Sequence, residues 1–202
     1  MTRPFRLHVA SVAAALTLSL SQYASAQLSP DGFQRPSALP ALGRDPVGTV
    51  DTTAVVANPA VLGFLPGTEL RWTGVFQSEQ STLPQQGHAI AFGFPIPFLR
   101  MGTALRLDLI NPPNAARSAI GYSSYDLLSW GAGIKLSDSA AIGLAWQHSY
   151  SESRYFHGLD AWALGYTARP WEAIGVGLWG RAINAPLSDG GYRLDPSLEI
   201  AL

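Results

Sequence analysis

The chain of 202 residues has no cysteine, a single lysine (Lys135), and only 13% charged residues. Without cysteine there is no disulfide framework, thiolate nucleophile or Cys-based zinc site. A soluble domain ordinarily carries about 25% charged residues, so the deficit sets this chain apart. Thirteen basic against fourteen acidic side chains leave no positive field for nucleic acid. Long apolar runs are also missing. The longest, Leu7 to Leu20, is too short to cross a bilayer of about 30 Å at about 1.5 Å per residue, which excludes a permanent membrane helix. What remains is rich in glycine (20), proline (15), tryptophan (6) and tyrosine (7). The glycine and proline oppose a helical bundle, and the aromatics oppose a disordered chain.

That short run has a role of its own. Arg3 and Arg6 precede it and Ala24-Ser25-Ala26 follows it, the basic, apolar and small-residue parts of a secretory signal peptide. Cleavage after Ala26 removes two arginines and no acid, leaving 11 basic against 14 acidic groups. The expectation is an exported protein with no lipid anchor.

Three segments follow from this reading: the signal over 1–26, an irregular segment over 27–67 and a strand-rich region over 68–202. The middle segment carries Pro30, Pro36, Pro40, Pro46, Pro59 and Pro66 and little alternation. Within it Asn58 fits a helix N-cap, Pro59 the first helical position and Gly63 a left-handed stop. One or two helical turns are expected there.

From Thr68 the hydrophobic period becomes two. Leu70, Trp72 and Phe76 oppose Arg71, Thr73 and Gln77; Ile90, Phe92, Phe94 and Ile96 oppose Ala89, Ala91 and Gly93; Leu105, Leu107 and Leu109 oppose Gly102, Ala104, Arg106 and Asp108. Similar alternation runs over Tyr125–Leu136, Ala140–Tyr150, Asp160–Arg169, Ala173–Ala182 and Tyr192–Leu202. Turns are expected at Pro95–Phe98, Ser137–Ser139 and Arg169–Glu172, and a polar interruption at Asn111–Gly121. Eight strands of roughly 9–11 residues, joined by alternately short and long connections, match the pattern of an outer-membrane barrel. In a soluble sandwich the second face would meet water and carry lysine and glutamate; here it carries glycine and alanine. The predicted fold is therefore all-β, an antiparallel transmembrane β-barrel of the outer membrane with an irregular amino-terminal hatch or plug. Aromatic girdles are expected from Tyr122, Tyr125, Tyr150, Tyr155 and Phe156 near the long loops, and from Phe98, Tyr166 and Trp171 near the short turns.

A small barrel fills its interior with its own side chains, which a glycine- and alanine-rich lining cannot do. That lining, and a chain that runs out inside the strand pattern at Pro196–Leu202, lead to the expectation of an incomplete barrel of more than eight strands around a plug. Arg71, Arg106, Asp108, Gln147 and Arg181 then point away from lipid, as a charge network tying wall to plug or as contacts for a solute.

No catalytic, metal or cofactor site is expected. Ser153, His157 and Asp160 fall together on a loop without a flanking signature, Lys135 stands near Ser137 at a strand end, and His88, His148 and His157 lack metal-ligand spacing.

Val56-Ala57-Asn58-Pro59-Ala60, followed by Leu62-Gly63-Phe64 and a strand at Glu69, resembles the FadL-type outer-membrane transporters of long-chain fatty acids and other hydrophobic compounds. The resemblance implies a hatch motif at Asn58, Pro59 and Ala60, passive movement of a hydrophobic solute, and as partners outer-membrane lipid, that solute and the barrel-assembly machinery. The run Val56 to Leu70 with Phe94-Pro95-Ile96-Pro97 also resembles the barrel-like leader of some SppA-type signal peptide peptidase precursors, whose serine protease part has no counterpart here. Related barrels of secretion and gliding systems share the Asn-Pro-Ala element, which keeps a structural or assembly role open.

Overall fold

The computed structural model describes residues 38–39, 50–154, 156–171, 174–186, 191, 194 and 196–201. The segment 1–26 expected to be a signal peptide, most of 27–49, Tyr155 and Tyr192 lie outside the described residues.

The strands form one antiparallel sheet in chain order: β1 (Glu69–Val75), β2 (Gly87–Ile96), β3 (Met101–Ile110), β4 (Tyr125–Lys135), β5 (Ala140–Tyr150), β6 (Asp160–Trp171), β7 (Ile174–Arg181) and β8 (Ser197–Ala201). Every pairing joins sequence neighbours, and among the described residues β1 and β8 do not pair with each other. Connections at one end are long. Those at the other are short, the β4–β5 turn being stitched by Leu136 and Ser137 N–H groups donating to the Ala140 carbonyl. These are called the loop end and the turn end.

The expected run of strands and connections changes in three places. The interruption at Asn111–Gly121 contains an α-helix, α1 (Asn114–Ile120), which Gly121 closes in the left-handed conformation at φ 79°. Arg169 to Trp171 belong to β6 rather than to a turn. The register shifts between Ala168 and Trp171, and such an irregularity is where a strand tolerates a proline that cannot donate to the ladder. Among the described residues the last strand covers Ser197–Ala201.

The two faces of the sheet have opposite character. One presents large apolar groups to the surroundings, among them Leu70 (73% exposed), Trp72 (60%), Ile90, Phe92, Leu105, Trp130, Ile134 and Leu164. The other presents Ala89, Ala91, Ala104, Arg106, Asp108, Ser129, Ala141, Ala145 and Thr167, all buried. Against this inner face lie two 3-10 helices, η1 (Thr52–Val56) and η2 (Pro59–Phe64), with η2 touching strands β2 to β6. Asn58 caps η2 and Pro59 opens it. Gly63 is not a left-handed stop: the helix runs through it to Phe64. Its missing side chain serves packing instead, since a Cβ there would lie 3.3 Å from the backbone of Gly133 and Ile134.

The loop-end girdle also differs from expectation. Tyr122, Tyr125 and Phe156 are buried, and the Tyr125 and Phe156 rings meet at 6.1 Å. Tyr125 shares the parity of Leu127 and Ser129, so it faces inward. On the outer face near the loop end stand Trp72, His88, Trp146, His148 and Tyr150, joined by ring contacts. Phe98 and Tyr166 are exposed toward the turn end.

Candidate functional site: the seat of the amino-terminal segment

The inner wall beneath η2 is built from glycine. Gly102 of β3 pairs with Gly133 of β4, Gly133 with Gly143 of β5, and Gly143 with Gly165 of β6. The four form an unbroken row across adjacent strands. A Cβ at Gly102 would lie 2.0 Å from the Leu62 carbonyl oxygen, at Gly133 2.6 Å from that of Pro59, at Gly143 2.3 Å from the Ala60 nitrogen, and at Gly165 2.2 Å from Asn58 Oδ1. None of these separations is sterically possible, so the row must be glycine for the helix backbone to rest on the sheet.

Asn58, Pro59 and Ala60 occupy the centre of this seat, and Asn58 and Ala60 are fully buried. Asn58 Oδ1 accepts from the Ala60 N–H at 3.2 Å, and Asn58 Nδ2 donates to the Tyr166 carbonyl at 3.2 Å. One side chain thus caps the helix and fixes it to β6.

Charged groups of the wall hold the flanks. At β1, Arg71 Nη1 pairs with Asp51 Oδ2 at 2.9 Å and its Nε with Glu69 Oε1 at 2.8 Å. Asp51 caps η1 through Thr53, and the Thr52 N–H donates to Glu69 Oε2 at 3.0 Å. At β3, Arg106 grips Asp108 with two bonds, at 2.8 and 2.7 Å, and both side chains are at most 1% exposed. The pair then holds the Leu39 backbone at both polar groups: Arg106 Nη2 donates to the Leu39 carbonyl at 2.8 Å, and Asp108 Oδ1 accepts the Leu39 N–H at 2.9 Å. Leu39 packs with Ala89, Ile110, Tyr125 and Leu127. A buried ion pair persists only when its hydrogen-bonding capacity is filled, and the Leu39 peptide groups help to fill it.

Gln147 and Arg181, placed on the same face by the sequence pattern, bond within the wall. Gln147 Nε2 donates to Ser129 Oγ at 3.2 Å. Arg181 pairs with Glu199 at 3.2 Å and lies over the Trp179 ring. Trp179 and Leu39 went unrecognised in the sequence. Trp179, 2% exposed, pairs with Gly165 at the end of the glycine row; its parity with Gly177 and Arg181 was the available signal. Leu39 has no such signal, sitting alone in a proline-rich stretch.

The other polar groups singled out in the sequence bond in separate places. Asp160 accepts from Trp146 Nε1 at 3.0 Å and stands 2.8 Å from His148 Nδ1, while His157 Nδ1 accepts from the Ser151 N–H. Ser153, His157 and Asp160 are therefore not a relay. Lys135 Nζ lies over the Phe64 ring at 5.2 Å and Ser137 Oγ faces Ser139 Oγ. Among the described residues, no three His, Asp or Glu side chains come together to hold a metal, and no helix is long and apolar enough to cross a membrane.

Comparison with protein-family models, curated proteins and solved structures finds no match to this chain.

Proposed function

We propose that the chain forms wall and hatch of an outer-membrane β-barrel that lets a hydrophobic, fatty-acid-like solute pass, reached by export through the Met1–Ala26 signal. The observation that carries this reading is the inverted sheet: its large apolar side chains face outward, and its small and charged ones face the buried amino-terminal segment. Acyl chains are the solvent such an outer face suits. The 10–12 residue lengths of β2 to β6 suit a tilted crossing, and long connections alternate with short ones as in such barrels. Lipid does not tolerate unpaired backbone at a sheet edge, so the outer edges of β1 and β8 require partners in the assembled wall. An eight-stranded barrel has room for little more than its own side chains or a small ligand, and this sheet lies against helix backbone along β2 to β6, which supports a wider wall with further strands as those partners. The hatch is the segment at Asn58, Pro59 and Ala60, and passage requires it to leave the glycine row.

A second reading has support from the seat itself. With helix backbone resting directly on the row, no passage exists between η2 and strands β3 to β6. That favours a static anchoring or assembly barrel, as in a peptidase leader or a secretion scaffold.

An engineered disulfide separates the two. A Cβ at Gly63 lies 3.3 Å from Ala141 Cβ, near the roughly 3.5–4.5 Å of a disulfide, and the chain has no other cysteine. Gly63→Cys with Ala141→Cys in proteoliposomes should stop uptake of a fluorescent fatty acid when oxidised and restore it on reduction. Absence of uptake by the unmodified protein leaves the anchoring reading; uptake indifferent to oxidation overturns the moving hatch. The membrane assignment has its own check: a lipid-phase thiol reagent should modify Leu105→Cys and spare Ala104→Cys. A folded monomer that stays dissolved without detergent overturns it.

A further inference from the structure

At the loop end, between the start of β4 and the end of β5, lies an open groove of about 560 Å³ lined by Arg117, Tyr122, Asp126, Tyr150, Glu152 and Ser153 among others. Its volume falls within the roughly 300–1,000 Å³ of small-molecule sites. The floor is cross-linked. Arg117 donates to the Pro112 carbonyl at 2.9 Å and to Ser124 Oγ at 2.6 Å; Ser124 Oγ donates on to Asn111 at 3.0 Å; Ser151 Oγ donates to the Ser124 carbonyl at 2.7 Å. These bonds join α1, the start of β4 and the β5–β6 loop, and they commit the arginine to the scaffold.

The walls are different. Asp126 and Glu152 are exposed, and neither carboxylate has a hydrogen bond or ion pair among the described residues. Tyr150 is 45% exposed with its ring against His148. A carboxylate only accepts, and its two oxygens can take two neighbouring hydroxyl donors at once. A phenol ring beside it offers an apolar face to a C–H surface and a polar tip to water. Arg117 is bonded to the scaffold, so the groups left open to a ligand in the groove are the two carboxylate acceptors and the Tyr150 ring.

We propose that this groove binds a neutral saccharide, with Asp126 and Glu152 accepting its hydroxyls and Tyr150 packing against a ring face. The site does not use the hatch; Asp126 and Tyr150 stand at the loop-end margin of the outer face, and Glu152 and Ser153 belong to the β5–β6 loop. Two sources share the chemistry, a free oligosaccharide and the sugar chain of an envelope glycolipid.

The test is calorimetric titration of the full folded chain in detergent micelles with maltotriose, lactose, dephosphorylated lipopolysaccharide core oligosaccharide, its phosphorylated form, and spermidine. Saturable binding of at least one neutral oligosaccharide is expected. Preference for the dephosphorylated core over both free sugars assigns the site to an envelope glycan, and the reverse preference assigns it to free sugar. Asp126→Asn with Glu152→Gln should weaken that binding at least about tenfold, while Asp138→Asn at the turn end leaves it unchanged; unchanged tryptophan emission verifies the fold of each. The proposal is overturned if no neutral oligosaccharide binds the folded protein, if the phosphorylated core or spermidine binds instead, or if the double variant binds as tightly as the parent.

Discussion

Gly143→Ala is the most direct probe of the seat. The new methyl would stand 2.3 Å from the Ala60 nitrogen and the Pro59 carbonyl carbon, whereas ordinary contact begins near 3.4 Å. Both obstacles are backbone, so no side-chain rotation relieves them, and η2 must retreat by about 1 Å. That retreat stretches the Asn58–Tyr166 bond from 3.2 Å beyond useful length, at about 1 kcal/mol. Loosened packing under Val61 and Leu62 adds about 1–3 kcal/mol, as in other overpacked cores. Replacing glycine restrains the unfolded chain and returns about 0.4–1 kcal/mol. The net loss is about 1–3.5 kcal/mol. With a urea slope of about 2 kcal/mol/M, the midpoint of tryptophan-monitored unfolding in micelles should fall by roughly 1 M without a change in slope.

A graded series guards against a trivial explanation. At Gly131 a Cβ meets the Val55 methyl at 3.0 Å, a side chain able to shift, so Gly131→Ala should lose less. At Gly67 nothing lies within 4 Å, so Gly67→Ala should be neutral or slightly stabilising. If Gly143→Ala unfolds at the parent midpoint, the helix does not rest on the glycine row.

Asp108→Ala leaves Arg106 buried without its counter-ion and should cost about 3–5 kcal/mol, read as a drop in unfolding midpoint; Arg106→Met with Asp108→Val should cost less, because no charge is left unpaired. Asn58→Ala removes both the η2 cap and the bond to Tyr166, for about 2 kcal/mol by the same measurement. Burial holds the Tyr122 phenol above its ordinary value. The unfolded chain therefore ionises first as pH rises, and stability is constant below about pH 10, then declines until the folded phenol ionises too. Tyr122→Phe should remove that alkaline decline in an unfolding series across pH.

The strands were legible because their two faces differ in size at nearly every step. In β3, Leu105, Leu107 and Leu109 alternate with Gly102, Ala104, Arg106 and Asp108, and the observed strand ends within one residue of the expected one. The cap at Asn58-Pro59 was legible for a different reason: capping is local chemistry, complete within three residues. What the pattern hid lies at long range. Leu39 meets Asp108 across 69 positions, and no local signal announces a peptide group that two distant side chains will hold. Tyr125 and Leu127 broke the expectation that inward means small. They pack around the Leu39 side chain, where bulk fills the space between it and the sheet. Gly63 was misread because a glycine near a helix end has two uses, a left-handed turn and a close approach, and only the neighbouring strand decides between them.

Inner-face residue size thus follows how near the amino-terminal backbone comes: glycine under Pro59–Leu62, glycine and alanine around η1, tyrosine and leucine around Leu39. A mould this close accounts for the small lining without any lumen, and it sets a condition on transport. Lifting η2 exposes Val61 and Leu62, each worth about 1.5–3 kcal/mol of burial, and breaks the Asn58 contact for about 1 kcal/mol more. The open form then costs about 4–7 kcal/mol, a population of roughly one in 10³ to 10⁵ at about 1.4 kcal/mol per tenfold. Gly143→Ala, by raising the energy of the seated form alone, should multiply that population about fivefold or more. If solute passes where η2 sits, the least stable variant of the series will be the fastest in proteoliposome uptake, Gly131→Ala intermediate and Gly67→Ala indistinguishable from the parent. Uptake that ignores this order would mean that the seat is a fixed part of the wall.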